Sequence, residues 1–315
     1  MPRPAPAIEA SGAMPRNANP IRAMLVGAPK AGTTSLYRYA AQHPAITAHE
    51  QRECSYFFSD DEYKQGYDAC LNKYFPPQAQ PPAVFLAKHV FTMYRPEAVS
   101  RLKTHNPETH VFALLRDPIK RAYSSFWYSR RRGWDPAGSF EKAIEWETQC
   151  QAHDEAWLTD RDRMHMRVGI YHPHIERLIE TFGRNRVHVL LTDDLAQDAV
   201  GLCRAIYEAV GVDSTFTPDL TQEHNPAAAA RSQTVARTVA GVLKSKNPVK
   251  RTIRKFIPHA LARKTRHALL SLNEKPFTPP PIHDDTRRRL ADYFTPHNEK
   301  LAQLIGRDLS VWSGA

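Results

Sequence analysis

Residues Ile21–His43 read IRAMLVGAPKAGTTSLYRYAAQH. Met24, Leu25 and Val26 form a short apolar run, the pattern of a strand buried on both faces of a parallel sheet. The turn Gly27-Ala28-Pro29-Lys30-Ala31-Gly32-Thr33-Thr34 follows, and Ser35–Gln42 then carries Leu36, Tyr39 and Ala40 at helical spacing. A strand, a glycine-containing loop with one lysine and a hydroxyl-rich helix start together make an anion cradle. Backbone N–H groups and the positive end of the helix dipole converge where a phosphate would sit. Lys30, Ala31, Gly32, Thr33, Thr34 and Ser35 are its candidate ligands. The P-loop of nucleoside triphosphatases places its lysine directly after the second glycine. Here Lys30 precedes Gly32, which points to chemistry other than ATP hydrolysis.

Outward from this unit the chain alternates strand and helix. Val84–His89 reads as a strand ending on Lys88 and His89, and Arg95–Lys103 as a helix with Pro96 in its first turn. His110–Leu115 is the clearest strand; Arg116 ends it and Pro118 cuts it off. Ile119–Arg131 follows as a helix with Ala122, Phe126 and Tyr128 on its inner face. Asp60–Phe75 is expected as one helix before the proline-rich 76–82 stretch, and Trp134–Met166 as helical, anchored by Phe140, Ile144 and Trp157. A helix from Gly169 to Phe182 stopped by Gly183, a strand over Arg186–Leu191 and a helix over Leu202–Val210 continue the pattern. Thr286–Trp312 closes the chain as one or two helices with Leu290, Tyr293, Phe294, Leu301, Leu304 and Ile305 inward. The expected fold is α/β, a P-loop-like three-layer arrangement with a central parallel sheet flanked by helices.

With 315 residues the chain can bury a sizeable core. No apolar run approaches the roughly 20 residues that span a bilayer. Residues 1–20 lack the apolar core of a signal peptide and read as a disordered leader, which leaves 21–315 as the folded part. Four scattered cysteines without a CxxC pair imply reduced thiols, no structural zinc and a cytoplasmic location. The net charge of +10 is local: eleven Lys and Arg fall between Arg231 and Arg266, and no acidic residue lies between Glu223 and Glu274. That concentration argues against a general nucleic-acid binder and for one basic feature at 231–272.

Four blocks of the chain resemble the PAPS-dependent sulfotransferases, and among them the carbohydrate, heparan-sulfate-type enzymes. Gly27–Thr34 looks like the family's 5′-phosphosulfate loop. Arg52-Glu53-Cys54-Ser55-Tyr56-Phe57-Phe58 looks like its Lys-Glu-x-x-x-Phe-Phe segment, with Arg in place of Lys. Leu115-Arg116-Asp117-Pro118-Ile119-Lys120-Arg121-Ala122-Tyr123-Ser124 is similar to the 3′-phosphate motif. Tyr293-Phe294-Thr295-Pro296-His297-Asn298 with Trp312 resembles the C-terminal signature. PAPS carries a phosphosulfate and a 3′-phosphate at opposite sides of one adenosine, so two separate anion sites are what it requires. A P-loop nucleotide or small-molecule kinase, the alternative, needs one such site and acidic residues for magnesium, and no Walker-B-like acid is evident.

The resemblance implies roles. Lys30 contacts the 5′-phosphate and bridging oxygen, and Arg116 with Ser124 holds the 3′-phosphate. Glu53 is the general base by its match to the family's glutamate; on residue types alone, Glu50, His49 and His89 compete with it. Lys88 matches a lysine that supports charge on the transferring sulfonate. Tyr171 and Lys275 stand where the family has residues near the nucleotide, although the local pattern at Glu274-Lys275-Pro276 departs from it. No metal is required. The acceptor is a hydroxyl on a carbohydrate, glycolipid or small molecule. Within the basic segment, residues 244–266 form a cationic amphipathic stretch. It fits peripheral contact with an anionic inner membrane surface, an acidic acceptor, or a solvated face over the core.

Overall fold

The computed structural model describes residues 20–75, 84–150, 156–221, 228–230 and 274–312. The leader, the proline-rich stretch and the basic segment at 231–272 lie outside the described residues. The chain forms two compact units, one of residues 1–115 with 174–222, the other of 116–173 with 223–315.

The first unit holds a five-stranded, wholly parallel sheet: β1 (Ile21–Gly27), β2 (Ile46–Ala48), β3 (Val84–Lys88), β4 (His110–Leu115) and β5 (Val187–Leu191), in the order β2-β3-β1-β4-β5. The central position of β1 follows from its composition, since Arg22 is its one exposed residue. Its helices are α1 (Thr33–Ala40), α2 (Asp60–Tyr63), α3 (Tyr67–Tyr74) and α4 (Pro96–His105), and, after β4, α7 (His172–Phe182, of which 174–182 belong here), α8 (Thr192–Gln197) and α9 (Ala199–Val210). Leu36 and Ala40 of α1 and Leu202, Ile206 and Val210 of α9 are buried, and the two helices pack together.

The second unit contains α5 (Pro118–Arg131), α6 (Phe140–Gln149), a two-stranded antiparallel pair β6 (Ala228–Ala230) and β7 (Glu274–Pro276), and the long α10 (Asp284–Ile305). Its core joins Ile119, Ala122 and Phe126 of α5 to Phe140, Ala143 and Ile144 of α6 and to Leu290 and Phe294 of α10. Asp117 caps α5: its Oδ1 accepts from the amides of Ile119 (2.8 Å) and Lys120 (3.3 Å).

The expected α/β class, parallel sheet and flanking helices stand. Three local expectations do not. The helix over Asp60–Phe75 is broken at Gly66, whose φ of 85° stops α2 and starts α3. Trp134–Met166 is not continuously helical. Asp135 Oδ1 takes the Ala137 amide in a turn (2.8 Å), and Ser139 caps α6, so among the described residues α-helix covers Phe140–Gln149, with a short 3-10 turn at Ala156–Asp160. Tyr293 is 37% exposed rather than inward. The three-residue β2 was not anticipated, being too short to show period-2 alternation.

Candidate active site

In a parallel sheet every strand delivers its C-terminal end to the same edge. Leu25 of β1 pairs with Lys88 of β3, and Gly27 with Ala113 of β4. The loop after β1, the last residue of β3 and the end of β4 therefore share that edge.

The loop after β1 is shaped by backbone geometry. Lys30 takes a left-handed φ of 70° and Gly32 one of 91°. That φ is what calls for glycine at position 32, where a Cβ would also come within 3.1 Å of Leu195 Cδ2 and need that side chain to shift. The Ala28 amide donates to the Leu114 carbonyl (2.8 Å), and the Thr192 hydroxyl donates to the carbonyls of Ala31 (2.6 Å) and Leu115 (3.0 Å). Thr192 thus ties the loop to the end of β4. Helix α1 has no side-chain cap and no acidic residue in its first turn. Nothing in its own sequence offsets the positive end of its dipole. Thr33 is buried, Lys30, Thr34 and Ser35 are half-buried, and Gly32 is exposed.

Beside this loop, at the same edge, lies a charged pair. Lys88 Nζ donates to Glu53 Oε1 at 2.7 Å, and the Val90 amide donates to Glu53 Oε2 at 3.0 Å. The Lys88 side chain is 2% exposed and that of Glu53 24%, so the pair is sealed at one end and open to solvent at the other. Burial pushes the Lys88 amine below its usual range, against the pull of the Glu53 carboxylate. Each carboxylate oxygen keeps a further lone pair, so Glu53 can still accept a proton or a hydroxyl hydrogen.

The competing bases separate here. His49 is buried, and its Nε2 accepts from the Lys88 amide at 3.0 Å. Burial first, and the Lys88 ammonium second, push its imidazole down to about 4. Its one acceptor nitrogen is occupied. His89 is also buried, its ring 4.4 Å from that of Phe58 and its Nδ1 3.2 Å from the Thr92 hydroxyl. Glu50 is exposed.

The remaining candidates belong to the second unit. Arg116 follows the last residue of β4 and is half-buried, not fully enclosed; its carbonyl accepts from the hydroxyl of the buried Tyr171 at 2.8 Å. Ser124 is half-buried on α5, two turns beyond Arg116. Lys275 lies in β7, and its side chain is outside the described residues. Among the described residues no three His, Cys, Asp or Glu side chains cluster as a metal site, and no helix is long and apolar enough to cross a membrane.

Sequence reasoning missed a second charged group. Arg121, at 0% exposure, donates through Nη2 to the His165 carbonyl, and its Nε and Nη1 make no hydrogen bond. His165 Nε2 lies 2.7 Å from Asp135 Oδ2, and Glu147 accepts the amides of Met166 and Arg167, both at 2.7 Å. Arg121 shares one helical stripe with Pro118, Ala122 and Ser129, all buried. That spacing was the available signal, and the charge of Arg121 hid it.

A family model described as a sulfotransferase domain matches residues 20–270. Among curated proteins, bifunctional heparan sulfate N-deacetylase/N-sulfotransferase 1 of Mus musculus is 24% identical over 298 residues, covering 92% of this chain and 30% of that protein. Heparan sulfate glucosamine 3-O-sulfotransferase 3A1 of Mus musculus is 22% identical over 293 residues, covering 93% of this chain and 64% of that protein. The chain therefore spans about a third of the first relative's length. Among solved structures, a sulfotransferase from Alicyclobacillus acidocaldarius has the same fold, with a TM-score of 0.63 at 22% identity over 94% of this chain and 99% of that one. These matches include no kinase.

Proposed function

The chain belongs to the sulfotransferase domain family, and on that premise we propose that it moves a sulfonate from PAPS to a hydroxyl of a carbohydrate acceptor, releasing adenosine 3′,5′-bisphosphate. The observation that carries this reading is the Glu53–Lys88 pair, a solvent-reachable carboxylate fixed by an almost fully buried ammonium at the sheet edge where the Lys30 loop ends β1. The heparan sulfate named in the relatives' descriptions supports a carbohydrate acceptor.

The residues present suit the donor's chemistry. Lys30, the hydroxyls of Thr33, Thr34 and Ser35, and the uncapped start of α1 form a donor set for a 5′-phosphate. Arg116 and Ser124 supply a guanidinium and a hydroxyl for a 3′-phosphate. When bound, PAPS supplies an activated sulfonate on a phosphate leaving group. Lys30 and the α1 amides stabilise negative charge at that phosphate, a contribution preorganised by the left-handed turn. Glu53 takes the acceptor's proton at a carboxylate oxygen. Lys88 holds Glu53 in one rotamer and places its own positive charge beside the reacting groups.

Thermal shift separates this reading from a kinase. Adenosine 3′,5′-bisphosphate should raise the melting temperature in the absence of magnesium, ATP with magnesium should not, and Arg116→Ala should remove the shift. Stabilisation by ATP and not by the bisphosphate would overturn the proposal. Radiolabelled sulfonate from PAPS should appear on hydroxyls of heparan sulfate. Label on a glycolipid but not on the polysaccharide would reassign the acceptor.

A further inference from the structure

We propose that His49 and Tyr37 are positioning residues that hold the Glu53–Lys88 pair in register with the anion loop. This inference rests on the sulfotransferase reading for its catalytic meaning, though the linkage is visible in the first unit alone.

Lys88 is clamped along its main chain on both sides. Its amide donates to His49 Nε2 at 3.0 Å, and its carbonyl accepts the Cys54 amide at 2.8 Å, one residue beyond Glu53. Its ammonium then reaches back to Glu53 Oε1 at 2.7 Å. The pair is therefore closed into a ring of hydrogen bonds, and His49 is the member that anchors it from outside. His49 is itself held: its amide donates to the Tyr37 hydroxyl at 2.7 Å, while that hydroxyl reaches the carbonyls of His49 (3.1 Å) and Leu86 (3.3 Å). Tyr37 belongs to α1, the helix whose first turn forms the anion cradle. Its ring centroid lies 5.9 Å from Lys88 Nζ. One continuous path thus runs from α1 through Tyr37 and His49 to Lys88 and Glu53.

The chemistry of His49 fits holding rather than reacting. Because Nε2 accepts from Lys88, Nδ1 carries the ring proton. The ring is enclosed by Tyr37, Tyr74 and Phe75, with centroids 4.8, 6.0 and 6.1 Å away. An apolar side chain would fill that aromatic pocket but would leave the Lys88 amide without its acceptor, so the imidazole is explained by its acceptor nitrogen. Lys88, with Glu53, Arg52 and Arg38 around it, is the charged group that acts on this ring, and burial with the Lys88 charge keeps the ring neutral. A neutral acceptor gives Lys88 the same anchor throughout the working pH range.

The test compares His49→Leu, which removes the acceptor, with His49→Gln, which restores one near the Nε2 position, and Tyr37→Phe. Turnover with PAPS and heparan sulfate should fall about 100-fold in His49→Leu, the cost of a small misplacement of a catalytic group. The bisphosphate Kd should stay within about twofold, since the anion loop is untouched. His49→Gln should recover most of the rate with an unchanged pH profile, and Tyr37→Phe should show a smaller loss. Equal losses in His49→Leu and His49→Gln, with the acid limb of the profile gone, would make His49 a reacting group and overturn the proposal. So would normal turnover in His49→Leu. A second arm needs no substrate: nitrogen-15 NMR of the wild type should show His49 as the neutral Nδ1–H tautomer from pH 5 to 8. An Nε2–H or imidazolium signal in that range overturns the linkage. If the tautomer is as expected but neither bisphosphate binding nor transfer occurs in the wild type, the linkage stands and the sulfotransferase reading fails.

Discussion

Glu53 and Glu147 each accept hydrogen bonds on both oxygens, yet they sit in opposite surroundings. Glu53, in the first unit, is held by one ammonium and one amide, with its side chain 24% exposed. Glu147, in the second unit, is 8% exposed and takes two main-chain amides, with the Arg121 guanidinium as a charged neighbour. Burial lifts the Glu147 carboxyl above its usual range. The difference lies in what each carboxylate can exchange. A sealed one, filled by backbone donors, clips a loop in place; one that meets solvent on a single side can pass a proton to something arriving there.

Substitution at the two glutamates should break this contrast first. Glu53→Gln should lower turnover by about 10²–10⁴-fold while bisphosphate affinity and melting temperature stay near wild type. Turnover close to normal would move the base to His89. Glu147→Leu should cost about 3–5 kcal/mol, because the amides of Met166 and Arg167 lose their acceptor and Arg121 loses a facing carboxylate. The urea midpoint measures it, and a loss below about 1 kcal/mol would erase the distinction between clip and reactive group.

The pH dependence of stability sharpens the comparison. Burial holds both His49 and His105 of the first unit down at about 4. The unfolded chain binds protons at these sites below about pH 6.5, while the native chain resists until about pH 4. Stability contributed by each is complete above 6.5 and is lost as the pH falls towards 4, by roughly 3 kcal/mol per group. In the second unit two carboxylates oppose each other. Burial pushes Asp135 up, but its hydrogen bonds with His165 and the Ala137 amide, together with the nearby Arg163 charge, outweigh burial and leave it below its usual range, whereas Glu147 is raised. Urea unfolding between pH 7 and 4.5 should therefore weaken wild type more steeply than His105→Gln; identical slopes would remove the histidine contribution.

The smallest expected effect concerns Tyr171. Its hydroxyl bonds the Arg116 carbonyl rather than presenting itself as a ligand. Tyr171→Phe should cost about 1 kcal/mol and weaken bisphosphate binding less than about tenfold, where Arg116→Ala abolishes it. Calorimetric titration of both variants decides between support and direct contact.

Much of the fold was legible because strands and turns are local. The apolar run of β1, the displaced Lys30 beside Gly32 and the strand ending at Leu115 all express interactions within a few residues. The motif blocks carried Glu53, Arg116 and Ser124 to their proposed roles in the same way, and the end of a predicted strand carried Lys88. His49 could be named as a titratable residue, but not assigned: whether it is a base or an anchor depends on a donor 39 positions away. The Glu53–Lys88 pair, 35 positions apart, is likewise set by the pairing of β3 with β1 and by how Cys54 docks on the end of β3. Arg121 is the extreme case, its burial readable as a helical stripe but contradicted by its charge. Sequence alone therefore determined the α/β alternation, the anion loop and the family to which the chain belongs. Only tertiary structure decided which lone pairs and protons remain free to react. Those depend on burial and on hydrogen bonds between distant residues, and no local pattern encodes either.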